Sequence, residues 1–121
     1  MKYKILVIDD DKSIRFIVSN FLKKEFDVYT EKSCMSGLAH LQNKSTPDVI
    51  ILDLVLPNES GYDFIKIIKQ SNFFKSIPII VLSAKENSVD KLKCFGMGVN
   101  DYLVKPFNPE ELRYRIKNLI K

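Results

Sequence analysis

The segment Asp48-Val49-Ile50-Ile51-Leu52-Asp53-Leu54-Val55-Leu56-Pro57 decides the fold of this chain. Its four consecutive branched apolar residues, Val49 to Leu52, indicate a short strand that is buried on both faces of a sheet. The strand ends at Asp53, whose ionised carboxylate would be costly to remove from water. We therefore place Asp53 at the carboxyl edge of a parallel sheet, where open α/β folds bind their ligands.

The overall composition predicts one soluble globular domain that spans residues 1–121. With 45% hydrophobic and 28% charged residues, the chain does not have the composition of a disordered, collagen-like or disulfide-rich protein. Its opening apolar run is too short for a membrane span or signal peptide and leads into three aspartates, so we expect a cytoplasmic protein without membrane contact. The net charge of +4 comes from lysines spread over the whole chain, which argues against direct nucleic-acid binding.

The chain has two cysteines, Cys34 and Cys94, which lie far apart without a CxxC partner. His40 is its only histidine, so a zinc site lacks the usual clustered ligands. We therefore expect both cysteines to be reduced and to pack in the interior.

Hydrophobic patterns predict five strands that alternate with five helices. The predicted strands are 4–9, 26–30, 49–53, 79–82 and 102–104. Most of them are continuously apolar, which is typical of a parallel sheet covered by helices on both faces. We predict a doubly wound α/β domain on this basis.

Apolar residues at three- and four-residue spacing predict which helix faces turn to the core. In the first helix these residues are Ile14, Ile17, Val18, Phe21 and Leu22. In the second helix, which is predicted over 33–42, they are Met35, Leu38 and Leu41. The last helix has the strongest start signal, because Asn108 is a favourable N-cap and Pro109 follows at the first helical position.

The predicted strand ends deliver polar side chains from four strands to one edge of the sheet. Asp9 and Asp10 follow the first strand, Asp53 ends the third, Ser83 follows the fourth and Lys105 follows the fifth. Neighbouring carboxylates repel by roughly 1 kcal/mol per pair in water, so a hard divalent cation such as Mg²⁺ would neutralise them. A carboxylate, a metal, a lysine and a hydroxyl suit phosphoryl transfer to the carboxylate itself.

Four motifs, in this order, resemble the receiver domains of two-component response regulators, and the resemblance covers the whole chain. They are Ile8-Asp9-Asp10-Asp11 with Arg15 beyond, Leu52 to Pro57, Val81 to Ala84, and Asp101 to Phe107. The likeness to chemotaxis-type receivers implies a flavodoxin-like sheet with strand order 2-1-3-4-5. It also implies a regulator, not an enzyme in the usual sense, which catalyses only its own phosphorylation and dephosphorylation.

The resemblance implies that Asp53 accepts a phosphoryl group from a phosphohistidine of a sensor kinase or phosphotransfer protein. Asp10, Asp53 and the backbone carbonyl of Val55 would hold Mg²⁺, and Asp9 would reach the ion through water. Lys105 would enter the site after a cis peptide bond that precedes Pro106.

The resemblance also implies how the signal leaves the site. After phosphorylation, the Ser83 hydroxyl would bond the phosphoryl oxygens and Tyr102 would turn into the vacated space. This movement would change the face formed by the fourth helix, fifth strand and fifth helix. That face would serve a downstream protein, a C-terminal output domain absent from this sequence, or a dimer.

Three other functions are compatible with parts of this pattern. A phosphorylation-independent interaction module remains open on the fold alone. A flavin-binding flavodoxin is disfavoured, because the loop after the first strand is Asp9-Asp10-Asp11, which repels a phosphate. A hydrolase that forms an aspartyl phosphate needs a second carboxylate just after the nucleophile, and Asp53-Leu54-Val55 provides none.

Overall fold

The fold is described by a computed structural model that covers residues 2–120. Its elements in chain order are β1 Lys4–Ile8, α1 Lys12–Leu22, β2 Asp27–Glu31, α2 Cys34–Asn43, β3 Val49–Asp53, β4 Val55–Leu56, β5 Glu59–Ser60, α3 Gly61–Gln70, β6 Ile79–Ser83, α4 Ser88–Gly96, β7 Asp101–Val104 and α5 Pro109–Leu119. None of the helices within this range is long and apolar enough to cross a membrane.

Five strands form one parallel sheet in the order β2-β1-β3-β6-β7. When the small β4–β5 pair is left out of the numbering, this is the order 2-1-3-4-5 that the resemblance implies, so the flavodoxin-like topology is confirmed. β3 lies in the centre, where Leu52 is aligned with Ile8 of β1 and Asp53 with Leu82 of β6. All five β3 residues are buried, as expected for a strand covered on both faces.

The side chains of β3 alternate between two hydrophobic clusters, one on each face of the sheet. Ile50 and Leu52 pack with the buried side chains of α2, α3 and α4. Val49 and Ile51 pack with those of α1 and α5. Helices therefore cover both faces of the sheet, as predicted, which explains why every residue of β3 is buried.

Both cysteines are free and buried in the first of these clusters, which confirms their predicted packing role.

The predicted inward faces of α1 and α2 are partly wrong. On α1, Val18 and Leu22 are buried, but Ile17 and Phe21 are exposed. Val18 and Leu22 form a narrow buried face on α1. Successive side chains are about 100° apart around a helix axis, so Ile17 and Phe21, each one position earlier, lie at the side of this face. On α2, Met35 is 76% exposed because Cys34, one residue earlier, occupies the buried side of the first turn.

The sequence did not predict the short antiparallel hairpin that follows Asp53. Here β4 pairs with β5, so that Val55 is aligned with Ser60 and Leu56 with Glu59. Asn58 in the turn has a φ of 59°, a left-handed conformation that asparagine tolerates better than most residues. The segment between Asp53 and α3 is thus an ordered connection.

Gly61 closes this connection and leaves no room for a side chain. Its N–H donates to the Leu54 carbonyl at 2.9 Å, and a Cβ would lie 2.7 Å from both the Asp53 carbonyl oxygen and the Leu54 Cα. We predict that Gly61→Ala lowers the free energy of unfolding by about 1–3 kcal/mol, because backbone atoms would have to move. Urea denaturation followed by circular dichroism measures this change.

Gly96→Ala is the matched control for this substitution. Gly96 is the last residue of α4, and a Cβ there would meet nothing within 4 Å. Alanine is a better helix former than glycine by up to about 1 kcal/mol, so Gly96→Ala should leave stability unchanged or raise it. Equal destabilisation by the two substitutions would contradict the proposed close contact at Gly61.

Candidate functional site

The carboxyl edge of the parallel sheet brings the predicted polar side chains together. Asp9 follows β1, Asp53 ends β3, and Lys105 follows β7. One carboxylate oxygen from each of Asp9, Asp10 and Asp53 lies within 4.8 Å of the others. The predicted acidic cluster therefore exists in the fold.

Lys105 connects two of these carboxylates. Its Nζ lies 2.8 Å from Asp9 Oδ2 and 3.3 Å from Asp53 Oδ2. Burial disfavours the charged amine, but the hydrogen bond to Asp9 and the charges of Asp53 and Asp9 outweigh this effect and raise the pKa of Lys105. The side chain is therefore a fixed positive charge at neutral pH. The peptide bond between Lys105 and Pro106 is cis, as the resemblance implies.

Asp53 lies at the end of the central strand, and only 7% of it is exposed. Burial, followed by repulsion from Asp9, raises the pKa of Asp53, although Lys105 and the Val55 N–H act in the opposite direction. Oδ2 faces Lys105, and Oδ1 accepts the Val55 N–H at 3.2 Å. With Asp10 beside them, the cluster holds three carboxylates and one ammonium group, which leaves an excess of negative charge that a cation would offset.

The loop between β1 and α1 fixes Asp9 and leaves Asp10 accessible. Asp9 is buried, and its Oδ1 accepts the Asp11 N–H at 2.9 Å, while its backbone carbonyl accepts from Arg15 at 2.7 Å. Asp11 is the N-cap of α1, where it accepts the Ser13 N–H at 2.8 Å. Asp10 is exposed, so its carboxylate is the freer of the two neighbours.

Ser83 and Tyr102 both bind the loop that follows β6. The Ser83 hydroxyl is fully buried and accepts the Lys85 N–H at 3.1 Å. The Tyr102 hydroxyl donates to the Lys85 carbonyl at 2.5 Å, and burial raises the pKa of Tyr102. Tyr102 is thus already inside the protein in this structure, whereas the expectation from sequence has it turn inward after phosphorylation.

Two residues, Glu59 and Tyr62, make contacts that no sequence pattern predicts. Glu59 on β5 accepts hydrogen bonds from backbone amides at the start of α2. Tyr62 on α3 donates to the Asp90 carboxylate of α4, and the Lys93 ammonium lies 4.0 Å from the centre of the Tyr62 ring. These partners lie more than 20 residues away along the chain, so no local motif could have identified them.

Comparison with known proteins identifies the family of this chain. A family model described as "Response regulator receiver domain" matches residues 5–117. The chain belongs to this family.

Two curated relatives illustrate the range of lengths within the matches. The regulatory protein VanRc of Enterococcus gallinarum is 35% identical over an alignment of 122 positions, which covers 100% of this chain and 51% of VanRc. The protein PilG of Pseudomonas aeruginosa is 40% identical over 115 residues, which are 94% of this chain and 84% of PilG. The chain thus spans about half the length of VanRc.

Solved structures show the same fold. The chemotaxis protein CheY4 of Vibrio cholerae matches with a TM-score of 0.90 and 32% identity, covering 98% of this chain and 99% of CheY4. The Mn²⁺-bound form of the response regulator Rcp1 matches with a TM-score of 0.82 and 28% identity, covering 97% of this chain and 91% of Rcp1. These matches agree with the sheet order described above.

The raised pKa of Asp53 predicts the effect of removing its charge. A carboxyl group whose pKa is higher in the folded state destabilises the fold wherever it is ionised. Asp53→Asn should therefore raise the free energy of unfolding at neutral pH by on the order of 1 kcal/mol, the size of one repulsive carboxylate pair. This gain should shrink as the pH falls through the folded pKa of Asp53, because the parent protein then loses the same charge.

Urea unfolding at a series of pH values from about 4, where ordinary carboxyl groups titrate, to about 8 would measure this difference in unfolding free energy. Asp11→Asn is the control, since asparagine caps a helix as well as aspartate does and Asp11 is exposed. A parent protein that is as stable as Asp53→Asn at neutral pH would contradict the prediction.

Proposed function

We propose that this chain is a signalling switch in which Asp53 accepts a phosphoryl group from a phosphohistidine of a sensor kinase or phosphotransfer protein. The observation that carries the proposal is the nearly buried Asp53 carboxylate, with the Lys105 ammonium 3.3 Å away and two further carboxylates beside it. Phosphorylation-activated switching is also the general function of the receiver family to which the chain belongs.

In this reaction an Asp53 oxygen forms the new bond to phosphorus as the phosphorus–nitrogen bond of the phosphohistidine breaks. The leaving nitrogen keeps the electron pair of the broken bond and takes up one proton from solvent, so the donor returns to neutral histidine. Lys105 stabilises the charge that spreads over the equatorial phosphoryl oxygens. Its contact with Asp9 holds the ammonium in place before the donor arrives.

Mg²⁺ is the cation that fits this group of ligands. Asp10, Asp53 and the Val55 backbone carbonyl would hold the ion, and Asp9, which is already bonded to Lys105 and Asp11, would reach it through water. All of these ligands are oxygens, as Mg²⁺ prefers, and Rcp1 has been solved in a Mn²⁺-bound form. When bound, the ion would neutralise negative charge on the transferring phosphoryl group.

The output of the switch would pass through the loop after β6. In our proposal the Ser83 hydroxyl leaves the Lys85 N–H and bonds the phosphoryl oxygens instead. The Tyr102 hydroxyl, which holds the Lys85 carbonyl, would follow this loop. The combined shift would change the face formed by α4, β7 and α5.

That face has features of a protein-binding surface. Val89 and Leu92 of α4 are both exposed apolar side chains. The partner would be a downstream protein, a C-terminal output domain, or a second copy of the chain. VanRc is about twice as long as this chain, whereas PilG is close to it in length. The relatives therefore include proteins with room for a second domain and proteins that are little longer than a receiver.

Phosphorylation with acetyl phosphate and Mg²⁺ tests the proposed acceptor. Intact-protein mass spectrometry should show one added phosphoryl group on the parent protein and none on Asp53→Ala, because the substitution removes the proposed acceptor. Asp11→Asn should be modified like the parent, and removal of Mg²⁺ with a chelator should suppress the reaction. An unmodified parent protein would favour the phosphorylation-independent interaction module.

The surface of α1 is our candidate for docking the phosphohistidine donor. Phe16 is 68% exposed and lines a groove of about 350 Å³ together with Lys12, Arg15 and Lys23. We predict that Phe16→Ala slows phosphotransfer from a phosphorylated histidine domain about tenfold, since a buried interface aromatic commonly contributes more than 1 kcal/mol. The rate with acetyl phosphate should stay the same, because this small donor needs no docking surface.

Phe73→Ala is the matched control for Phe16→Ala. Phe73 is 87% exposed and lies after α3, away from α1 in the chain. It should leave both rates unchanged. Equal rates for parent protein and Phe16→Ala with the histidine domain would remove α1 from the proposed docking surface.

A further inference from the structure

Glu59 links the hairpin after Asp53 to a separate helix. Its Oε1 accepts the Cys34 N–H at 2.8 Å, and its Oε2 accepts the Met35 N–H at 2.9 Å. Both amides belong to the first turn of α2, where N–H groups have no partner within the helix. A side chain that follows the phosphoacceptor strand therefore completes the N-terminus of α2.

The residues of α2 itself do not satisfy the two amides that Glu59 binds. The side chain of the N-cap Ser33 accepts the Ser36 N–H at 3.0 Å, so it does not bond the amides of Cys34 and Met35. The first turn of α2 contains no acidic residue of its own. The positive end of the helix dipole therefore favours the Glu59 carboxylate. Because both Glu59 oxygens accept hydrogen bonds there, Glu59 is not part of the aspartate cluster around Lys105.

The same contact restrains the backbone of Val55. Glu59 is aligned with Leu56, and Ser60 with Val55, in the two-stranded pairing of β4 and β5. Two residue pairs are far too few for an independently stable hairpin, so its position depends on contacts with the rest of the fold. The first strand is held by the buried side chains of Leu54 and Leu56 and by the bond from the Val55 N–H to Asp53. On the second strand, Glu59 supplies the link to α2.

We propose that Glu59 is a positioning residue for the cation site, which acts by pinning the hairpin that carries the Val55 carbonyl to α2. This inference rests on the proposed function, in which the Val55 carbonyl binds Mg²⁺. Mg²⁺ requires nearly ideal octahedral geometry, so small displacements of one ligand weaken its binding. Loss of a residue that orients a metal ligand typically lowers metal affinity 10- to 100-fold.

Substitutions of Glu59 should weaken Mg²⁺ binding in a graded way. Glu59→Ala removes both acceptors and frees the hairpin, so the Mg²⁺ dissociation constant should rise at least about tenfold. Glu59→Gln keeps one acceptor oxygen but directs an NH₂ group at the second amide. Its dissociation constant should lie between those of the parent protein and Glu59→Ala. This milder variant keeps the test valid if Glu59→Ala fails to fold.

Asp63→Asn is the matched control for the loss of charge. Asp63 is exposed on the first turn of α3 and lines the same surface groove as Glu59. Removing its charge changes the local potential by a similar amount without freeing the hairpin. We expect no more than about a twofold change in Mg²⁺ affinity, since an exposed charge is largely screened by salt.

The experiment is isothermal titration of MgCl₂ into the full chain, combined with hydrogen exchange of the Cys34, Met35 and Val55 amides. The proposal predicts weaker binding and faster exchange at all three amides for Glu59→Ala, with neither effect for Asp63→Asn. Equal weakening by both substitutions would overturn it, because the effect would then be one of charge. Unchanged Mg²⁺ affinity with faster amide exchange would overturn it too, because Glu59 would then have only a structural role.

Titration of Asp53→Asn separates failure of this inference from failure of the proposed function. If the parent protein binds Mg²⁺ and Asp53→Asn does not, the cation site stands and the Glu59 variants decide the inference alone. If the parent protein and Asp53→Asn bind equally, the proposed site itself is wrong, and the inference fails with it.

Discussion

The structure of this site depends on the Lys105 ammonium group that lies between the carboxylates of Asp9 and Asp53. Lys105 follows β7 at one side of the sheet, whereas Asp9 follows β1, three strand positions away. Adjacent strands are about 4.8 Å apart, so the loop after β7 has to carry Lys105 across the edge of β6. Without this charge, two buried carboxylates would face each other unpaired, which is strongly unfavourable.

The two helices that follow the site differ in how firmly they are packed. α3 buries Phe64, Ile65 and Ile68, so it forms part of the core. Of the α4 side chains, Cys94 alone is buried, and Tyr62 of α3 supplies polar and cation–π contacts to α4. An element with few buried apolar side chains can shift at low cost in free energy. The core therefore holds α4 less firmly than it holds α3.

Sequence reasoning recovered the parts of the fold that depend on local pattern. The run Val49 to Leu52 identified the central strand, and parallel strand ends brought Asp9, Asp53 and Lys105 to one edge. It missed the hairpin, because β4 and β5 have two residues each and show no periodicity. The prediction that Met35 faces the core was wrong, because residue spacing alone does not show how much of a helix surface packs against the sheet. The contact of Glu59 with α2 depends on tertiary structure, which no local pattern reports.

The buried positions of the two cysteines have a consequence for the kinds of signal that the chain can receive. Burial, together with the charges of Glu59, Asp53 and Asp63, raises the pKa of Cys34 to about 12, and burial also raises the pKa of Cys94. Oxidants and electrophiles react with the thiolate form of cysteine, which is scarce at neutral pH under these conditions. Neither thiol is therefore suited to sense oxidants, because both are buried and hold their protons at neutral pH.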